Sequence, residues 1–356
     1  MKTTRLTPPR DQLGLSLLEV MISLTIGFLI VAAVGYLYLG SRQSFRTQDN
    51  LTTIQENARY ALETMSHDIR MAGYMGCGNL NLITPNVISN SLIGVTLNVG
   101  TALQVFPTGA GWVAPAGLTI TAKPNTDILR IYEAAGGGAN VTGSNLTATN
   151  SNLQIGGNPY NFVAGQVLIV SDCQYADIFT ANNVSNTGGN VTIAQAKAQN
   201  QNQFLSRNYG VSSPAFVYVF TQNDYLIGCP TASYSGGNCS VPWALYRIPN
   251  NGTAQPLISN VEKVAYQLGV DTSGTTPPAR VVGAYQSPST VAAANNWNNV
   301  LSVQVHLLLV GGASNDSNSN VTMTSQHYTF NGAAYTAPDR RMYQEAVTTV
   351  AIRNRL

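Results

Sequence analysis

The chain has 356 residues, of which only 10 % are Asp, Glu, Lys or Arg; 18 basic and 16 acidic side chains leave a net charge of +2. That balance argues against a strongly basic nucleic-acid binder and against an acidic disordered tail. Hydrophobic residues make up 44 %, ample for a packed core, and asparagine, serine, threonine and glycine solvate much of the rest, as on secreted proteins.

A polar leader, MKTTRLTPPRDQLG, is followed by an apolar run from Leu15 to Leu39 that contains a single carboxylate, Glu19. About 20 apolar residues suffice to span a membrane, whereas the apolar core of a secretory signal is about 7–15 residues. Lys2, Arg5 and Arg10 precede the run, opposed only by Asp11. This bias predicts a cytoplasmic N-terminus and export of everything after the span. A plain anchor accounts for the length and leaves Glu19 unexplained. An ionised residue in hydrocarbon costs about 2.5–3.5 kcal/mol on insertion scales, so Glu19 calls for a partner.

From Ser41 to Ala72 the composition becomes polar but the helical period persists. Leu51, Ile54, Ala58, Ala61, Leu62, Met65 and Ile69 recur at steps of three and four, an amphipathic stripe. No proline interrupts Leu15 to Ala72, which predicts one continuous helix, and Gly73, Gly76 and Gly78 supply the stop.

Beyond Gly78 the pattern becomes that of strands between turns. Candidates are Leu118–Lys123, Asp127–Glu133, Gln166–Ser171, Asn190–Ala194, Ala215–Thr221, Asp224–Cys229, Ala244–Ile248, Val261–Asp271, Val300–Val310, Gln326–Phe330 and Val347–Ile352. Leu301, Val303, Val305, Leu307 and Leu309 form the clearest period-two face. An antiparallel sheet packed on the second half of the long helix is expected. Long polar loops are expected at Gly136–Pro159, Ala181–Gln203, Asp271–Asn299 and Gly311–Asn320. Four cysteines, Cys77, Cys173, Cys229 and Cys239, allow three connectivities that spacing does not settle. A local Cys229–Cys239 bridge would staple CPTASYSGGNC and leave Cys77–Cys173 to tie the helix end to the sheet, in an oxidising compartment.

Motifs for catalysis are missing: the sequence has no GxxxxGK[ST], GxSxG or HExxH, and His67, His306 and His327 are scattered. Asn315–Asn320 places Asp316, Asn318 and Asn320 at alternate positions like the start of a calcium loop, but lacks its glycine and closing glutamate, so a polar turn is expected. No enzyme activity, cofactor, metal or small-molecule substrate is predicted. The small basic cluster Arg340, Arg341, Arg353 and Arg355 could bridge to neighbouring subunits; it gives little support for nucleic-acid binding.

A short basic leader ending in Gly14, then Leu15–Ser16–Leu17–Leu18–Glu19 opening an apolar helix, resembles the type IV prepilins. The resemblance implies cleavage between Gly14 and Leu15 by a membrane prepilin peptidase and N-methylation of Leu15. It also implies the α+β type IV pilin fold, with a long N-terminal helix on a large antiparallel head. Members more often carry phenylalanine where Leu15 stands. Glu19 would pair with the new amine of an adjacent subunit and set axial register. The implied organisation is a leader (1–14), a transmembrane and filament-core half-helix (15–39), an amphipathic half-helix (40–73) and a periplasmic or extracellular head (74–356).

The large head, GYMGC at Gly73–Cys77, SDC at Ser171–Cys173 followed by Ala176–Phe179, and the basic ending through VTTVAIRNRL are similar to PilW-type minor pilins. J-type minor pseudopilins of type II secretion share the leader and plan. The PilW-type resemblance implies a low-copy subunit that primes type IV pilus assembly and sits at the tip, in roles such as adhesion and twitching motility. Its partners would be other minor pilins, the major pilin and a PilY-type adhesin. It would lie in the inner membrane before assembly and on the cell surface afterwards. A tip adhesin or DNA-uptake receptor, with the polar loops as contact surface, is the alternative from the binding class.

Overall fold

The computed structural model describes residues 16–142, 148–187, 189–211, 213–250, 252–275, 278–312 and 324–355, so Gly14, Leu15 and the Asn315–Asn320 segment lie outside the described residues. The chain divides into two compact units, residues 1–50 and Leu51–Leu356. In the first, helix α1 (Leu17–Met71) begins, and no residue from 16 to 50 is buried. Its apolar portion is long and apolar enough to cross a membrane.

In the second unit, the remainder of α1 buries Ile54, Ala58, Ala61, Met65 and Ile69, the stripe read from the sequence, with Leu51 and Leu62 half-buried. The helix stops at Gly73, whose φ of +75° suits a residue without a Cβ. Its amide turns away to the carbonyl of Tyr132 at 2.9 Å. The carbonyls of Met71 and Ala72, which have no partner in the helix, accept from Asn354 Nδ2 at 3.4 and 3.2 Å, so the chain's last residues cap the helix end.

A nine-stranded sheet holds β1 (Asn86–Val87), β2 (Leu103–Phe106), β3 (Ile120–Ala122), β4 (Ile128–Asn140), β5 (Val167–Ser171), β6 (Ala176–Thr180), β7 (Phe216–Pro230), β8 (Ala244–Pro249) and β9 (Gln255–Ser259). Strand β7 is its spine. One edge pairs with β4 and then β3, the other with β5 and then β8. Every pairing in this sheet is antiparallel except β1 with β6. A second sheet is antiparallel throughout: β10 (Val261–Val270), β11 (Ala284–Gln286), β12 (Val300–Val310) and β13 (Tyr343–Ala351), in the order β11-β10-β12-β13. A small sheet of Leu153–Ile155, Asn183–Thr187 and Asn190–Ala194, with hairpins at Tyr234–Cys239 and His327–Thr336, decorates them.

The main core joins the α1 stripe to both sheets: Leu129, Ile131, Tyr225 and Leu245 from the first, and Val264, Val303, Val305 and Leu307 from the second. Val303, Val305, Leu307 and Leu309 of the period-two face expected from the sequence line this core, while Val300 takes the place of Leu301, where the ladder to β10 shifts register. The result is the expected α+β arrangement, a long helix on a mostly antiparallel head, consistent with a pilin-like fold.

Differences from the sequence reading have local causes. Ala215–Thr221 and Asp224–Cys229 are one strand, because Gln222, Asn223 and Asp224 are buried with partners instead of forming a turn. Strand β4 runs on to Asn140, into the stretch read as a loop. There Gly137 and Gly138 leave room for the rings of Tyr160 and Tyr218, which a Cβ would strike at 2.2 and 2.5 Å. The segment read as a loop over Asp271–Asn299 contains helix α2 (Pro288–Ala293), started by Ser287 Oγ accepting from the Thr290 amide at 3.2 Å with proline at the first position.

Candidate functional site

Glu19 stands in the first turn of α1, surrounded by exposed apolar side chains such as Leu18 and Ile22. The Glu19 amide donates to the carbonyl of Ser16 at 3.0 Å. A carboxylate on an unburied apolar helix surface is placed to meet groups outside its own chain.

The head is fastened to α1 by a polar network. Asp68 follows Met65 by three residues and therefore lies on the buried face. Its Oδ2 accepts from Tyr225 Oη at 2.6 Å and Asn223 Nδ2 at 2.9 Å, and pairs with Arg247 Nη2 at 2.9 Å. Helix, β7 and β8 thus share one anion. Glu133 of β4 is 2 % exposed and accepts a second bond from Asn223 Nδ2, at 3.3 Å. Burial, with the nearby negative charge of Asp68, pushes its carboxyl up to about 8, against the opposing pull of Arg247. Asp68, Glu133 and Arg247, with Tyr60, Glu63 and Thr64, line a cleft of about 480 Å³. The sequence stripe could have exposed Asp68, since it occupies a buried helical position. Glu133, Asn223 and Arg247 gave no signal, because only the sheet register brings them together.

Because Glu133 has a higher pKa folded than its ordinary 4.5, it stabilises the fold fully below pH 4.5. That contribution is lost as pH rises towards about 8. Glu133→Gln should therefore match the wild type at pH 4.5 and exceed it by about 3 kcal/mol at pH 7, at about 1.4 kcal/mol per pKa unit. Urea denaturation at the two pH values checks this; equal stability of the two proteins at both would contradict it.

The structure pairs Cys77 with Cys173 and Cys229 with Cys239. The first bridge joins the turn after α1 to the turn between β5 and β6, with Cα atoms 4.9 Å apart. Gly76 is required there: at φ +85° it lies under the Tyr218 ring, which a Cβ would strike at 2.4 Å. GYMGC and SDC, far apart in sequence, meet at this bridge. The strand after SDC, β6, is buried along its length, and Asp177 on it accepts from Ser206 N, Ser206 Oγ and Tyr209 Oη, pinning the following polar segment to the sheet.

The basic ending differs from its expected role as a bridge to other subunits. Arg355 is 3 % exposed and donates to the carbonyls of Trp297 at 2.7 Å, Val300 at 3.0 Å and Val99, while Arg341 pairs with Asp339 at 2.7 Å. Only Arg353 and Arg340 of the four are exposed. His306 is also internal, bonded to Glu345 at 2.7 Å and Gln304 at 3.1 Å. Among the described residues no group of three or more His, Cys, Asp or Glu side chains could hold a metal ion.

An unburied apolar run bearing one carboxylate thus opens a helix whose second half is locked to a mostly antiparallel head. Residues 243–354, from the start of β8 through the whole second sheet and the helix-capping Asn354, match the family model described as Type IV Pilus-assembly protein W. This third of the chain is similar to that family and supports a type IV pilus-related protein that acts in pilus assembly. No curated protein and no solved structure matches the chain.

Proposed function

We propose that this chain is a minor pilin that primes type IV pilus assembly. It is held in the inner membrane by the apolar half of α1, with its head in the periplasm. Cleavage between Gly14 and Leu15 and methylation of Leu15 prepare it for extraction. It then enters the pilus at low copy, at the tip, beside other minor pilins, the major pilin and a PilY-type adhesin. In this reading the chain performs no chemistry of its own. The observation that carries it is the unburied apolar run with its single carboxylate, continuous with a segment packed into a head whose C-terminal part is similar to a pilus-assembly family. A head of about 280 residues is hard to repeat at every position of a helical fibre and easier to place at an end, which supports the tip.

Physically, Glu19 acts as register. A carboxylate and a new amine are each costly near hydrocarbon, and pairing across subunits satisfies both. Glu19→Ala should leave the protein processed and membrane-bound while its recovery in sheared pili falls at least tenfold, read by immunoblot of the pilus and membrane fractions. Normal incorporation of the variant would overturn the register role. Deleting the gene should abolish surface pili; normal pili with lost attachment would point instead to a receptor.

A further inference from the structure

Strand β13 is the last strand of its sheet. Its inner side pairs with β12 from Ser302↔Ala351 to Val310↔Tyr343, without a bulge. Among the described residues no strand pairs with its outer side, and the His327–Thr336 hairpin touches it only at its start, where the Tyr343 amide donates to Tyr328 Oη at 3.3 Å. The direction of its backbone groups is fixed at both ends. The carbonyl of Met342 accepts from the Gly311 amide at 2.8 Å, and the amide of Ile352 donates to the Leu301 carbonyl at 2.9 Å. In an antiparallel strand alternate residues point N–H and C=O to the same side. Even-numbered residues therefore face β12, and Glu345, Val347, Thr349 and Ala351 turn their backbone groups outward. Those groups have no backbone partner among the described residues. The strand also lacks the usual edge protection: no proline and no lysine occur from Tyr343 to Ala351, and its one charge, Glu345, is turned to His306 and the Asn331 amide.

Beside this edge runs a groove of about 620 Å³, bounded by Val347 and Thr348 on one side and by α1 on the other. Leu62 and Met71 give it apolar wall. Arg59 and Arg70 on α1, and Arg353 just past the strand, give it charge, opposed by Glu63 alone. None of these three arginines has an ion pair or hydrogen bond among the described residues. Arg59 and Arg70 stand about 16 Å apart along the helix at 1.5 Å per residue, the length of about five extended residues.

We propose that this groove docks an extended acidic segment of a partner protein, which adds to β13 as a further strand and lays carboxylates on Arg59, Arg70 and Arg353. Main-chain hydrogen bonds to the outward groups at Val347 and Thr349 supply affinity, and the arginines select the charge. The inference rests on the assembly reading for the partner's source, a neighbouring pilus subunit, and on the head alone for the partner's chemistry.

The test uses the full chain in detergent micelles and a fluorescent, capped heptapeptide of alternating threonine and glutamate, followed by anisotropy. The glutamate peptide is expected to bind, more weakly as salt rises, and the same peptide with lysine for glutamate is not. Val347→Pro removes only an outward, unpaired N–H, a substitution that edge strands tolerate. It should weaken peptide binding at least tenfold with an unchanged melting temperature, as should Arg59→Glu with Arg70→Glu. If Val347→Pro lowers the melting temperature, Val347→Lys replaces it, since an edge lysine blocks strand addition from an exposed position. Absence of binding by the wild type, equal binding of the lysine peptide, or full binding by a folded edge variant would overturn the proposal. The assay contains no pilus component. Its failure removes the groove and leaves the assembly reading intact, whereas recovery of protein that still begins at Met1 would remove that reading and leave the groove.

Discussion

Asp68→Ala is expected to destabilise the head by about 3 kcal/mol, at the low end of the cost of breaking a buried ion pair. The side chain is almost fully buried, and its Oδ2 alone carries three contacts at once: Tyr225 Oη, Asn223 Nδ2 and Arg247 Nη2. Its removal leaves the buried Tyr225 hydroxyl without an acceptor, Asn223 Nδ2 with only its longer bond to Glu133, and a guanidinium without its anion. Arg247 keeps partial access to water, with 27 % of its side chain exposed, which holds the cost below the upper range. The same substitution removes the negative charge that helps to raise Glu133, so the carboxyl of Glu133 should titrate lower than in the wild type. Asp68→Asn keeps one acceptor and should cost less than Asp68→Ala. Urea unfolding of the full chain in detergent, followed by near-ultraviolet circular dichroism, gives these differences; a loss under about 0.5 kcal/mol in Asp68→Ala would show that the network does not fasten α1 to the sheet.

Replacing Cys77 and Cys173 together by serine is expected to cost about 4–5 kcal/mol. The bridge closes a loop with a sequence separation of 96, and constraint of the unfolded chain grows with loop length. The Cys229–Cys239 bridge closes a separation of only 10, and its removal should cost about 2–3 kcal/mol on the same basis. The contrast extends to location. The long bridge holds the turn after α1 against the β5–β6 turn, so its loss should expose that region to protease first, whereas loss of the short one should open only the Tyr234–Cys239 hairpin. Paired denaturation curves of the two double mutants check the order; a larger loss for Cys229 and Cys239 would contradict it.

Where the sequence was legible, a repeating pattern coincided with a buried face. The three- and four-residue spacing from Ile54 to Ile69 is the α1 stripe, and the alternation along Val300–Val310 is the wall of the main core. Glu19 was visible because a lone charge contrasts with an apolar run. What was hidden depends on register. Gln222 and Asn223 look like a break before the strand at Asp224 until Arg130, Trp112 and Asp68 are set opposite this stretch, with Arg130 Nε and Nη2 meeting Asp224 at 2.7 and 2.6 Å. Arg355 looked like surface charge because nothing local indicates that Trp297, Val300 and Val99 will turn carbonyls towards it. Short strands such as β2 and β9 carry too few residues for a period to show.

Register and assembly both follow from a new amine placed four residues before Glu19, so the start of the mature chain decides between the readings. Intact-mass and tandem mass spectrometry of the protein recovered from membranes measures it directly. The account predicts a chain that begins at Leu15 with a methylated amine; material that begins at Met1, or well beyond Leu39, would contradict it.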